Sequence, residues 1–181
     1  ARQLGDDGVV VRGPLARDTL HLDAIPLRDQ AERLAWLAEH LPSMPGAGIV
    51  YCLTVADTQR VSGWLRGRGI DARPYNADID PVEREVLEQD LLANRLKALV
   101  ATVALGMGFD KPDLGFVIHY QRPGSPIAYY QQVGRAGRAG AAAGCGRGAR
   151  RESRVVCLGE AIGAAEGVFK PTAGLVAEFG P

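Results

Sequence analysis

The chain has 181 residues, 46% of them hydrophobic and 23% charged, the make-up of one globular domain with room for a core. Lys+Arg and Asp+Glu both number 21, which excludes a global basic field, so any surface for nucleic acid has to be local. No apolar run approaches the roughly 20 residues of a membrane-spanning helix, and no basic-then-apolar start marks a signal peptide, although the chain opens without methionine, as a fragment would.

In chain order, Thr19 to Ile25 alternates like a strand, and Arg28 to Leu41 sets Ala31, Leu34, Leu37 and Leu41 on one helical face. Pro42 and Pro45 break the chain. Gly48 to Leu53 is a short apolar run, expected as a buried strand. Thr54 follows as a helix N-cap, and Val55 to Arg66 carries Val55, Val61, Trp64 and Leu65 at helical spacing before Gly67 and Gly69 end it. Ile70 to Tyr75 predicts a strand. Asp80-Pro81 predicts a helix start, with Val82, Val86, Leu87, Leu91 and Leu92 as its apolar face. Lys97 to Thr102 and Gly115 to Tyr120 predict two more strands, and Ser125-Pro126 opens a further helix. Strands alternating with helices imply right-handed crossovers, hence a parallel sheet covered on both faces. The texture changes after Gly140. Ala141 to Arg151 contains only Ala, Gly, Arg and one Cys, too little apolar pattern to offset the entropy of ordering. Val155 to Leu158 is expected as one last strand at the sheet edge. The domain plan is therefore a lead-in strand and helix over 1–45, a core over 46–140 and a weakly ordered tail over 141–181.

Three cysteines, Cys52, Cys145 and Cys157, are too widely spaced for a structural zinc site or a disulfide framework. Cys52, inside an apolar run, is expected to be a buried thiol, and a reducing cytoplasm fits best.

The chemistry gathers in two stretches. The run Tyr129-Tyr130-Gln131-Gln132-Val133-Gly134-Arg135-Ala136-Gly137-Arg138 places two arginines behind two glutamines, each arginine preceded by glycine. Glycine admits close backbone approach and arginine matches phosphate with a rigid fork of donors, so the run suits a polyphosphate; solvated loop arginines are the plainer alternative. In an open parallel sheet, ligands sit at the strand carboxyl ends. Thr54 stands there, as a phosphate ligand at a helix N-terminus or as a simple cap. Asn76-Ala77-Asp78 follows the next strand. Thr102, then Gly106 to Pro112, follow the one after, where Asp110 offers a carboxylate to a ribose hydroxyl and Lys111 is expected to be solvated.

Gly48 to Cys52, Leu99 to Pro112 and Tyr129 to Arg138 together resemble, in order and spacing, the second motor domain of RecQ-type DNA helicases of superfamily 2, over about Thr19 to Gly140. The resemblance implies a RecA-like fold, ATP hydrolysis with Mg²⁺, and 3′-to-5′ movement along single-stranded DNA, at duplex junctions in DNA repair and recombination, within a nucleoid-associated cytoplasmic setting. It implies that Arg138 is the arginine finger and that Arg135 contacts the γ-phosphate, both facing a nucleotide held by an N-terminal motor domain. Gln131 would line that cleft, Gly108 and Asp110 would approach the ribose and the arginines, and Thr54, Thr102 and Asn76 would face the nucleic-acid backbone. The chain has no Gly-x-x-x-x-Gly-Lys-[Ser/Thr] loop and no Asp-Glu box, so it is not expected to hydrolyse ATP alone. The family's usual His and Gly after the second core strand appear as Asn76 and Asp78, and the stretch after Gly140 departs from the family as a frame-shifted or divergent tail would. The alternative function is a truncated, non-enzymatic RecA-like module that binds single-stranded nucleic acid or a partner. An ordinary nucleotide-binding α/β protein would need a glycine-rich phosphate loop after the first core strand, which is not there.

Overall fold

The computed structural model describes residues 20–102, 109, 111–135 and 153–159. Strand β1 (Leu20–Pro26) leads into α1 (Gln30–His40) and a short 3-10 turn (Leu41–Ser43) holding Pro42. There follow β2 (Gly48–Tyr51), α2 (Val55–Arg66), β3 (Ala72–Tyr75), α3 (Pro81–Leu92), β4 (Ala98–Ala101), β5 (Phe116–His119), α4 (Pro126–Val133) and β6 (Ser153–Gly159).

The helices start where the sequence supplies caps. The Asp29 carboxylate accepts from the Glu32 backbone N–H at 2.8 Å, and the Arg28 backbone N–H donates back to Glu32 at the same distance. Thr54 Oγ1 accepts from the Asp57 N–H, and Asp80 accepts from the Val82 N–H with Pro81 in the first turn. Each satisfies an otherwise orphaned donor, at about 0.5–2 kcal/mol per cap.

The strands form one six-stranded sheet in the order β1-β6-β5-β2-β4-β3, every pair parallel. All four residues of each of β2, β4 and β5 are buried, as strands covered on both faces must be. Val50, Cys52, Val100, Ile118 and Val156 pack with Leu34 and Leu37 of α1 and Val61 and Leu65 of α2. Their neighbours Ile49, Tyr51, Leu99, Val117 and Val155 pack with Leu87 and Leu91 of α3, and Val133 of α4 lies against that layer. The alternation of strand side chains thus separates two cores, and the expected parallel sheet with helices on both faces is the observed architecture.

Two glycines seat the amino ends of the strands. A Cβ on Gly115 would fall 1.8 Å from the Pro45 carbonyl oxygen, and one on Gly48 would fall 2.3 Å from the buried Phe116 ring. Lys97 ties the same corner, donating from Nζ to the Met44 and Gly46 carbonyls.

Three expectations change. Val155 to Leu158 does form a strand, but β6 lies inside the sheet between β1 and β5, with Val156 and Leu158 fully buried; β1 and β3 are the edges. The expected strand is therefore present, over Ser153–Gly159, and only its place in the sheet differs. The rest of the expected tail, 141–152 and 160–181, lies outside the described residues. The α3 apolar face is narrower than its sequence pattern: Leu87 and Leu91 are buried, but Val82 and Val86 are 71% and 53% exposed. Lys111 is only 2% exposed, not solvated. Its Nζ donates to the Leu92 carbonyl at the end of α3 and to Asp113 Oδ1 at 2.7 Å, the pairing a buried ammonium requires. Asn94 donates to the other oxygen of Asp113, whose carboxyl is held below its usual range chiefly by the Lys111 hydrogen bond.

Candidate functional site

With every strand parallel, all carboxyl ends meet one edge of the sheet. The registers set Tyr51, Ala101, Tyr75 and His119 side by side. Backbone bonds continue one step further, Cys52 N–H to the Ala101 carbonyl, Thr102 N–H to that of Tyr75 and Tyr120 N–H to that of Tyr51. Thr54, Thr102 and Asn76, which follow β2, β4 and β3, are therefore neighbours along one rim, as a shared ligand surface requires.

Each behaves differently. Thr54 is exposed, but its hydroxyl donates to Asp57 Oδ2 at 2.8 Å while accepting from the Asp57 N–H. Asp57 is buried and also takes Gln121 Nε2 at 2.7 Å and Arg60 Nη1 at 2.9 Å, while Gln121 Oε1 accepts from the Leu53 N–H. The entry to α2 is thus tied to the loop after β5 through one carboxylate. Thr102 is half-buried at the end of β4. Asn76 is fully buried, which corrects its assignment to a nucleic-acid surface. Its Nδ2 donates to Thr58 Oγ1 and its Oδ1 accepts from the Asp78 N–H, so both ends of the amide hold the turn after β3 and none faces outward.

The glutamine-arginine run arrives on α4. Gln131 is exposed and Gln132 is buried, a division the paired glutamines do not disclose in sequence. Arg135 is half-buried, and its Nη1 donates to the Phe109 carbonyl at 2.9 Å. That bond joins the run to the segment after β4, so the two stretches that carry the chemistry meet in space. The guanidinium also acts on Tyr51, whose hydroxyl is pushed up to about 12 by burial while Arg135 works in the opposite direction. Arg138, Gly108 and Asp110 lie outside the described residues.

Sequence reasoning missed the group beneath the run. His119 closes β5 with no exposure, its Nε2 2.9 Å from Gln132 Oε1 and its Nδ1 3.5 Å from Cys157 Sγ of β6. Its ring stacks on Tyr51 at 5.8 Å and meets Tyr129 of α4 at 5.2 Å. Burial depresses its pKa from 6.5 to about 4, the Gln132 hydrogen bond opposing, so the imidazole is neutral at pH 7. A histidine inside an apolar strand gives no sequence signal beyond a polar letter in an inward position. Both described cysteines are free and buried or nearly so, Cys52 as expected. Burial raises both thiols, that of Cys157 to about 11, which leaves them protonated.

Among the described residues no group of His, Cys, Asp and Glu could hold a metal ion, and no helix is long and apolar enough to cross a membrane. What the rim offers is hydrogen-bond donors on a parallel sheet, with Gln131 and Arg135 presented by α4.

Residues 32–140 match the model of the helicase conserved C-terminal domain. The chain is 40% identical over 131 residues to the RecQ-like DNA helicase blm-1 of Caenorhabditis elegans, covering 71% of this chain and 13% of that protein. It is 46% identical over 99 residues to the ATP-dependent DNA helicase Q-like 2 of Arabidopsis thaliana, covering 55% and 14%. The chain thus spans only about one seventh of those relatives. Among solved structures it superposes on the E. coli DEAD-box protein SrmB, in complex with the regulator of ribonuclease activity A, with a TM-score of 0.66 and 26% identity over 80% of this chain and 79% of that one. It shares the fold of the C-terminal domain of the DEAD-box protein Dbp5, TM-score 0.69 and 22% identity, over 90% and 87%. With the matched span taking in β2 to β5 and the whole glutamine-arginine run, the chain belongs to the helicase conserved C-terminal domain family, as a second RecA-like motor domain of the RecQ type.

Proposed function

We propose that this chain is the arginine-donating half of an ATP-driven DNA helicase motor. The observation that carries the reading is the bond from Arg135 to the Phe109 carbonyl, which holds the end of α4 against the segment after β4. A partner N-terminal motor domain grips Mg²⁺-ATP. Arg138 would act as the finger that neutralises charge developing on the transferred phosphoryl group, Arg135 would contact the γ-phosphate, and Gln131 would report the state of the phosphate to the domain interface. Gly108 and Asp110 approach the ribose. Bound magnesium would supply charge neutralisation to the nucleotide from the partner domain, while this chain would supply donors and shape through Arg135, Arg138 and Gln131.

On the rim, Thr54 and Thr102 meet backbone phosphates of single-stranded DNA, contacts that give affinity without sequence choice. Thr54 then exchanges its Asp57 acceptor for a phosphate oxygen. Alternate closing and opening of the two motor halves moves the chain 3′-to-5′ toward duplex junctions, in repair and recombination at the cytoplasmic nucleoid.

The test is complementation. This chain, combined with the N-terminal motor domain of a RecQ-type helicase, should give DNA-stimulated ATP hydrolysis absent from either part, and Arg138→Ala should lower kcat about 10³-fold. A combined pair that hydrolyses nothing, or that tolerates the substitution, refutes the motor reading and leaves a non-enzymatic binding module.

A further inference from the structure

We propose that His119 and Gln132 are a positioning pair that seats α4 on the sheet and so fixes where Gln131 and Arg135 stand at the rim. The consequence for catalysis rests on the function proposed above; the seat itself does not.

The geometry is specific. A buried polar side chain is costly unless it is hydrogen-bonded, and this one is satisfied from two elements at once. With the ring proton on Nε2, His119 donates to Gln132 Oε1 on α4 at 2.9 Å. Nδ1 is then an acceptor, 3.5 Å from Cys157 Sγ on β6, where a protonated thiol can donate. That tautomer satisfies all three groups together. The ring also meets α4 a second time, through Tyr129 at 5.2 Å. Tyr129 and Gln132 are i and i+3, so both belong to one helical face.

Gln132 also reaches outward. Its backbone carbonyl accepts the Arg135 N–H at 3.2 Å, so one residue is fixed to the sheet through its side chain and to the arginine through its backbone. Helix α4 is only 8 residues long, and of its described side chains Val133 is the one packed against the apolar core. The buried hydrogen bond from His119 to Gln132, near the carboxyl end of the helix, fixes its rotation on the sheet. A turned α4 would bury Gln131 and draw Arg135 off the Phe109 carbonyl.

Two measurements on the chain alone test the seat. Long-range ¹H–¹⁵N correlation of the histidine rings should show His119 neutral at pH 7 with its proton on Nε2; a proton on Nδ1 overturns the pairing. Gln132→Met keeps the volume and removes the acceptor. It should speed amide exchange of Tyr129 and Arg135 about tenfold or more while β2 and β4 amides keep their protection, and Gln132→Glu, which restores an acceptor oxygen, should reverse it. Unchanged α4 exchange in Gln132→Met overturns the proposal. If that variant loses β2 and β4 protection as well, the tautomer of the unaltered chain and the Gln132→Glu exchange decide. In the combined two-domain ATPase, Gln132→Met should lower kcat about tenfold with KM for ATP within twofold, and Gln132→Glu should recover it. An active wild-type pair with kcat unaffected by Gln132→Met overturns the positioning role. An inactive wild-type pair counts against the motor reading instead, and the exchange data still decide the seat.

Discussion

His119 makes the fold sensitive to acid. Its folded pKa lies near 4, below the 6.5 of an unfolded histidine, because burial penalises the charged ring. The unfolded chain therefore binds more protons throughout that window, so stability is highest above about pH 6.5 and falls as pH drops toward 4. From pH 7.5 to pH 5 this one group should cost about 2 kcal/mol. Urea unfolding at the two values measures it, and His119→Gln should flatten the difference; an unchanged slope would mean that the ring is not the titrating group. Asn76 yields a second outcome at this scale. Because its amide is spent on Thr58 and the Asp78 N–H, Asn76→Ala should destabilise the domain by about 1–3 kcal/mol. Its affinity for single-stranded DNA, measured at a temperature where both forms are folded, should be unchanged. The sequence showed that Asn76 follows a strand but not which way its amide turns, since polar letters look alike until a partner eighteen positions back is placed beside them. The same limit hid Gln132 behind Gln131 and hid Lys111 beneath α3.

The elements were far easier to read. β2, β4 and β5 stand out as short apolar runs because both their faces are buried, and Thr54 and Asp80 mark helix starts because a bare helix end needs an acceptor. Helix α3 misled, since Val82 and Val86 sit at helical spacing with the buried leucines yet face out; periodicity says which residues share a stripe, not how much of it is covered. Edge strand β3 carries its own protection. Pro74 offers no N–H and the Arg73–Asp71 pair adds charge, so the strand makes a poor template for another chain. At the junction of β5 with the turn before β2 the backbones approach closely. Gly115→Ala would drive a Cβ into the Pro45 carbonyl, backbone against backbone, and should cost about 3 kcal/mol or more, read as a lower urea midpoint. Gly63→Ala, at an open helical position, should be neutral or stabilising in the same assay.

At the scale of the molecule, the position of β6 was the main thing the sequence withheld. Its four apolar residues look the same whether the strand lies at an edge or inside, because sheet order depends on pairings across the whole chain. The structure gives it two neighbours and buries Val156 completely. Val156→Asp should therefore abolish cooperative unfolding at neutral pH, seen as loss of the thermal transition, since an unpaired carboxylate there has no partner and no water. An edge strand would tolerate it with a modest shift.

Among the described strands β1 pairs with β6 alone, and the Asp23–Arg154 ion pair that joins them spans 131 positions. On a ribosome adding about 5–20 residues per second, β1 waits on the order of ten seconds for its neighbour to be synthesised. During that interval β5 also lacks one flank, and two strand edges stand open together. Among the described strands the last to be made is thus the one that closes the sheet, so the nascent chain is exposed to mispairing, and in need of a chaperone, until β6 has left the exit tunnel.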